Sequence, residues 1–94
     1  MMRSMQELAN AREVVRGLLE QLQLEAYLFE VEPKEPHWEI RVECAVNDVW
    51  QSTLLEVDAE RLWASKEPGQ KREALLLDWQ KHLGTCKHSE HEGH

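Results

Sequence analysis

The C-terminal tail contains the side chains best suited to binding a metal. His88, His91 and His94 stand three residues apart, and Cys86 precedes them. Imidazole and thiolate groups are good ligands for zinc, nickel and copper. The spacing does not match a structural zinc motif, and a single cysteine in a polar tail fixes no ligand geometry. We therefore expect a solubilising tail and no cofactor, with metal binding by these four residues as an alternative.

Two further pairs of residues are candidates for catalysis. Cys44 and His37 would supply a nucleophile and a base, but strand alternation predicts that they lie on opposite faces and do not meet. Glu39 and Glu56 are predicted to be cross-strand neighbours. An open sheet face lacks the concave, partly dry setting that a general acid needs. The sequence therefore predicts a protein that is not an enzyme.

The charge of the chain is concentrated in its middle. The 94 residues have a formal net charge of −7. Eleven acidic residues lie between Glu20 and Glu60, against only Lys34 and Arg41. Such a segment repels phosphate backbones and attracts basic partners. The charge therefore disfavours nucleic acid as a partner and favours a protein with a basic surface.

The cysteines and the apolar runs bear on location. Cys44 and Cys86 are the only cysteines, and two do not make a disulfide framework. Cys44 is expected to be a small buried hydrophobe. A bond between the two is an alternative that no feature of the sequence supports. No signal-peptide core or membrane-spanning run is recognisable, so the expected location is the cytoplasm, without a membrane partner.

Helical periodicity is found at both ends of the chain. Apolar residues recur at helical spacing from Ser4 to Leu24, with Ser4 as a plausible N-cap. Asp58 is a good N-cap for a short helix through Ala64. A third helix is predicted from Gln70 to Leu83, because Leu76, Trp79 and Leu83 are spaced three and four apart.

Between the helices the apolar period changes to two. Strands are predicted around Tyr27–Val31, from His37 to Val46, and from Val49 to Val57, with Asn47-Asp48 as a two-residue hairpin turn. We therefore predict an α+β domain of residues 1–84: an N-terminal helix, a three-stranded antiparallel sheet, a short helix and a C-terminal helix, with the helices on one sheet face. Residues 85–94 are expected to form a flexible, His-rich tail.

The hairpin turn sets which residues share a face. On the core side it pairs Val46 with Val49, Cys44 with Gln51, Val42 with Thr53, Ile40 with Leu55 and Trp38 with Val57. On the opposite side it pairs Ala45 with Trp50, Glu43 with Ser52, Arg41 with Leu54 and Glu39 with Glu56. A loop one residue longer would exchange the two faces.

This register predicts an exposed apolar patch. Its members would be Trp50, Leu54, Ala45 and Leu28, ringed by Glu30, Glu43 and Glu56. An aromatic centre with a polar rim is typical of protein interfaces. Two other interpretations are open: a cross-strand cluster that only stabilises the sheet, or a surface covered by the tail.

The order of elements resembles that of a double-stranded RNA-binding domain. Tyr27, the Pro36-His37 loop and the strand from Trp38 to Val42 are similar to that family's first strand, Pro-His loop and second strand. The segment Gln70–Ala74 is similar to the basic start of its last helix, although the segment 58–69 is an insertion relative to the family. The resemblance implies the topology, and it implies phosphate contacts by Lys71 and Arg72, to which Lys66 would add.

The favoured hypothesis from the sequence is a small non-catalytic interaction module. Its acidic sheet face would bind a basic protein or pair with a second copy across a two-fold axis. Trp50 and Leu54 would anchor the contact, and Glu43 and Glu56 would steer it. Duplex-RNA binding and metal binding by the tail are the two alternatives.

Overall fold

The computed structural model describes residues 5–24, 27–34, 36–46, 48–84 and 86. Its elements, in chain order, are α1 (Met5–Leu22), β1 (Tyr27–Lys34), β2 (His37–Val46), β3 (Val49–Asp58), α2 (Ala59–Ala64) and α3 (Gln70–His82). The three strands form one antiparallel sheet in the order β1-β2-β3. The helices contact one face of this sheet, and the α+β architecture predicted from the sequence is confirmed.

The hairpin between β2 and β3 has the predicted register. Val46 pairs with Val49 across a two-residue loop, and the pairing continues to Trp38 opposite Val57. Asp48 has a φ of 68°. A positive φ at this position is what a type I′ turn requires, and Asp tolerates it better than most residues. The face assignment predicted from the turn is therefore correct along the whole hairpin.

The hydrophobic core lies between the sheet and the helices. Alternate residues of β2, from Trp38 to Cys44, point into it and are inaccessible to solvent. Trp79 of α3 is also buried, and the rings of Trp38 and Trp63 meet edge to face with centroids 6.2 Å apart. Trp38 and Trp79, which lie on the predicted apolar faces of β2 and α3, are therefore confirmed as core residues. Burial of Tyr27 at the margin of the core raises the pKa of its hydroxyl, and Glu20 adds to this effect.

The helix boundaries differ slightly from the predicted ones. Helix α1 ends at Leu22 rather than Leu24. Its expected N-cap, Ser4, lies outside the described residues. Asp58 does occupy the N-cap position of α2, but its side chain makes no capping hydrogen bond there. None of the helices in the described part of the chain combines the length and the apolarity of a membrane span.

A disulfide joins Cys44 to Cys86, with Cα atoms 5.9 Å apart. Cys86 is 3% exposed, and its N–H donates a hydrogen bond to the carbonyl oxygen of Leu83. The expectation that the flexible tail begins at residue 85 is therefore wrong for Cys86, which belongs to the core. Cys44 is buried as predicted, but as one half of a covalent cross-link rather than as a free thiol.

The tip of the β2–β3 hairpin extends beyond the cover of the helices. Val49 lies on the core side of the sheet by register, yet it is 59% exposed, and Gln51 is exposed as well. The prediction that Val49 contributes to the core is wrong for this reason. On the last helix, Leu77 is also exposed, at 61%.

Candidate protein-binding face

The sheet face opposite the helices is called the outer face here. The strand registers arrange it in rows that run across the sheet. From the hairpin tip these rows are Ala45–Trp50, then Leu28–Glu43–Ser52, then Glu30–Arg41–Leu54, then Glu32–Glu39–Glu56, and last Lys34–His37–Asp58. Every side chain in these rows is exposed or half-buried, so no element in the described part of the chain covers the outer face.

Three large apolar side chains stand in solvent on this face. Leu28 is 61%, Trp50 is 56% and Leu54 is 51% exposed, while Ala45 is half-buried. The hairpin register predicted the exposure of Trp50 and Leu54 correctly. Large apolar side chains grouped on one face are a better indication of a partner site than the same residues scattered over the surface.

The apolar residues do not form the ringed patch that the sequence suggested. Glu43 is not at the rim: it lies between Leu28 and Ser52 and one row from Trp50. Diagonal neighbours on adjacent antiparallel strands are about 7 to 8 Å apart, within reach of long side chains. Glu43 therefore has Leu28 directly beside it on β1 and Trp50 within diagonal reach on β3.

The outer face has an excess of negative charge. Its carboxylates are Glu30, Glu32, Glu39, Glu43, Glu56 and Asp58. Nζ of Lys34 approaches Oε1 of Glu32 at 4.0 Å, and Nη1 of Arg41 lies 3.2 Å from Oε1 of Glu30. These contacts are solvent-exposed and contribute little to stability. Glu39 and Glu43 have no ion-pair partner within the described residues.

One row consists only of glutamates. Glu32, Glu39 and Glu56 are direct neighbours on β1, β2 and β3. Like charges directly opposite one another destabilise an antiparallel sheet. Nε2 of His37 lies 3.8 Å from Oε2 of Glu56 and offsets part of this repulsion when the imidazole is protonated. A cationic group placed over the row would relieve the rest.

The three basic residues proposed for RNA contacts lie away from the outer face. Lys66 and Lys71 are exposed near the start of α3. Arg72 is already engaged: its Nε donates to Oε1 of Gln21 at 3.0 Å and its Nη1 to the carbonyl oxygen of Ser65 at 2.9 Å. Helix α1 passes close to this guanidinium, since a Cβ at Gly17 would make ordinary van der Waals contact with Nη2 of Arg72 at 3.6 Å. Arg72 thus connects α1, the end of α2 and α3.

The structure excludes free thiols at Cys44 and Cys86, but it does not describe the three histidines of the tail. The sulfur of Cys86 is bonded to that of Cys44, so neither is a thiolate ligand or a nucleophile in this structure. His88, His91 and His94 lie outside the described residues. The part of the chain that the structure describes contains no group of three or more His, Cys, Asp or Glu side chains arranged to hold a metal ion.

A groove that the sequence did not reveal runs along the free side of β3. It has a volume of about 450 Å³ and lies between β3 and α3, lined by Leu54, Leu55, Glu56, Asp78, Trp79 and His82. Oδ2 of Asp78 is 3.5 Å from Nη1 of Arg61, and Oδ1 is 3.8 Å from Nδ1 of His82. Sequence periodicity assigns residues to faces, but it does not give the gap between a strand and a distant helix.

Comparisons of this chain with protein-family models, with curated proteins and with solved structures find no match. The function is therefore inferred from the geometry and charge of the outer face and of the neighbouring groove.

Proposed function

We propose that this protein is a non-catalytic interaction module whose outer face binds a partner protein with a basic surface. The observation that carries the proposal is the combination on one open face of exposed Trp50, Leu54 and Leu28 with a glutamate between them. A face that served only to keep the sheet soluble would not need large apolar side chains in solvent.

Charge favours a basic partner over a second copy of the chain. Two outer faces brought together across a two-fold axis would oppose two sets of carboxylates, including two rows of three glutamates. A basic surface would instead relieve the repulsion within the row Glu32–Glu39–Glu56. The chain as a whole also has a net charge of −7, which opposes self-association at low ionic strength.

The arrangement around Glu43 fits a lysine or arginine side chain of the partner. Such a side chain can lay its methylene stem along apolar surface while its charged end meets a carboxylate. Trp50 and Leu28 would take the stem, and Glu43 would pair with the charge. The indole face of Trp50 would add a cation–π attraction of about 0.5–1 kcal/mol at an exposed site.

Titration of the isotope-labelled protein with blocked peptides tests this proposal. One lysine-rich peptide has apolar residues at helical spacing and another has them at strand spacing, and glutamate versions of both serve as controls. We expect amide shifts confined to the outer face with the lysine peptides. Trp50→Ala with Leu54→Ala should weaken the better lysine peptide at least tenfold.

The matched control is Leu77→Ala, because Leu77 is equally exposed but lies on α3. The proposal fails if neither lysine peptide binds, or if the control change weakens binding as much as the double change. Duplex RNA is titrated in parallel at low and moderate salt. Shifts around Lys66 and Lys71 that disappear as salt rises would favour the RNA-binding alternative instead.

A further inference from the structure

The free edge of β3 lacks the usual protection against strand pairing. Only β2 pairs with β3 among the described residues. The segment Val49–Leu55, VWQSTLL, contains seven residues without a charge, a proline or a glycine. Exposed edges of this kind are normally blunted by lysine, proline or bulges, because their open N–H and C=O groups accept another strand.

The turn determines which backbone groups face outward. In a two-residue hairpin the pair that flanks the turn is hydrogen-bonded, and such pairs then alternate along the ladder. Val49, Gln51, Thr53 and Leu55 therefore direct their N–H and C=O groups towards β2. Trp50, Ser52, Leu54 and Glu56 direct theirs away from the sheet.

The groove between β3 and α3 lies directly beside this edge. Leu54 and Glu56, whose backbone groups face outward, both line it, and Asp78 and His82 form its other wall. A strand added there would have alternate side chains on the two sides of the sheet. One set would lie beside Trp50 and Leu54 on the outer face, and the other set would enter the groove.

We propose that the partner binds as an extended basic segment that adds a fourth strand to the sheet along β3. This inference rests on the proposed function and specifies how the partner is held. Main-chain hydrogen bonds to Ser52, Leu54 and Glu56 give affinity, as in other strand-addition complexes, and alternate side chains give specificity. Apolar side chains of the segment contact Trp50 and Leu54, and the alternating lysine or arginine side chains enter the groove, which the carboxylates of Glu56 and Asp78 line.

Charge at the ends of β3 favours such a segment over a second copy. The antiparallel β3–β3 register that places Trp50 beside Leu54 of the other copy also places Asp48 beside Glu56 at both ends. Two carboxylates would then face each other at each end of the new ladder. A basic segment removes this repulsion and offers the same backbone groups.

The test uses the full chain and a blocked eight-residue peptide in which lysine and valine alternate. A second peptide of the same sequence is N-methylated at alternate residues, which removes the donors on one edge, and a third replaces lysine with glutamate. Protein variants Ser52→Pro and Ser52→Ala form a matched pair. Proline removes the outward N–H at an edge position where it is tolerated, whereas alanine keeps it.

We expect the lysine-valine peptide to bind and to slow hydrogen exchange at the amides of Ser52, Leu54 and Glu56. N-methylation and Ser52→Pro should each weaken binding at least tenfold, while Ser52→Ala should change it less than twofold. N-methylation keeps the test decisive if the proline variant does not fold. The native chain should stay monomeric at the concentrations used.

Other outcomes overturn the inference in distinguishable ways. If the helical lysine peptide binds the outer face but the extended one does not, the proposed function stands and strand addition is wrong. The same conclusion holds if N-methylation has no effect or if the three amides stay unprotected. A dimer that Ser52→Pro dissociates would assign the edge to a second copy. Failure of every lysine peptide would overturn both proposals.

Discussion

The two faces of the β2–β3 hairpin come from the same twenty residues but have opposite properties. The inner face contributes Trp38, Ile40 and Val42, all of which are inaccessible to solvent. The outer face, offset by a single residue, exposes Trp50 and Leu54 to more than half of their maximum. Trp38, near one end of the inner face, is therefore part of the core. Trp50, near the other end of the hairpin and on its outer face, is available to a partner.

This contrast separates stability from binding in a way that experiments can use. Residues on the inner face should determine the free energy of unfolding and affect binding only through the fold. Residues on the outer face should leave the free energy of unfolding nearly unchanged and act on binding directly.

The largest expected effect is that of truncating Trp38, the tryptophan of the inner face. Trp38 is fully buried and contacts Trp63 edge to face. Trp38→Ala should lower the free energy of unfolding by about 3–5 kcal/mol, because it leaves a cavity that a small core cannot close. Urea unfolding followed by circular dichroism measures this. A loss of less than about 1 kcal/mol would show that the inner face is not the core.

Removal of the disulfide is the next largest change. The bond closes a loop with a sequence separation of 42 residues between Cys44 and Cys86. Without the bond the unfolded chain gains conformational entropy. The free energy of unfolding should therefore decrease by up to about 4 kcal/mol. The comparison is between the native chain and Cys44→Ala with Cys86→Ala, both without reductant. Adding reductant to the native chain should give a similar decrease, and the double variant should not respond to it.

The same bond makes the expected cytoplasmic location testable. Disulfides persist mainly in oxidising compartments and are rare in the cytosol of mesophiles. Alkylation of the two cysteines in freshly lysed cells, followed by mass spectrometry, reports their oxidation state in place. Fully alkylated cysteines would agree with a cytoplasmic location, whereas a protected pair would favour an oxidising compartment.

Substitution of Arg72 should have a smaller effect on stability. This basic residue serves the fold rather than a ligand. Its guanidinium donates to Gln21 and to the carbonyl oxygen of Ser65. Arg72→Met keeps most of the apolar stem but removes both bonds, and we expect a loss of about 1–2 kcal/mol. Lys71→Met, at an exposed neighbour, should change stability by less than about 0.5 kcal/mol. Equal effects of the two changes would contradict the structural role of Arg72.

Much of this architecture could be predicted from local patterns. The switch from helical to two-residue periodicity gave the elements, and Asn47-Asp48 between two strand patterns gave the register and hence the exposure of Trp50 and Leu54. These features depend on neighbours in sequence, where spacing and turn chemistry are informative.

The features that were missed depend on contacts between distant segments. The bond from Cys44 to Cys86 requires that the end of α3 return to β2, which no spacing reveals. Val49 is exposed because the helices stop short of the hairpin tip. The place of Glu43 among apolar side chains depends on the pairing of β1 with β2, and the predicted β1 stopped at Val31, three residues before the Lys34–His37 pair that sets this register. The groove beside β3 depends on how α3 packs.

The smallest expected effect on stability is also the most informative about function. Trp50→Ala with Leu54→Ala removes two side chains that are already more than half exposed. The free energy of unfolding should therefore change by only about 0.5 kcal/mol, as for other surface substitutions. If the double change cost several kcal/mol, the two residues would be a cross-strand cluster that stabilises the sheet, which is the alternative considered from the sequence. A small change in stability together with at least a tenfold loss of peptide binding would show that the two faces have separate roles. Large apolar side chains would then serve the fold on the inner face and the partner on the outer face.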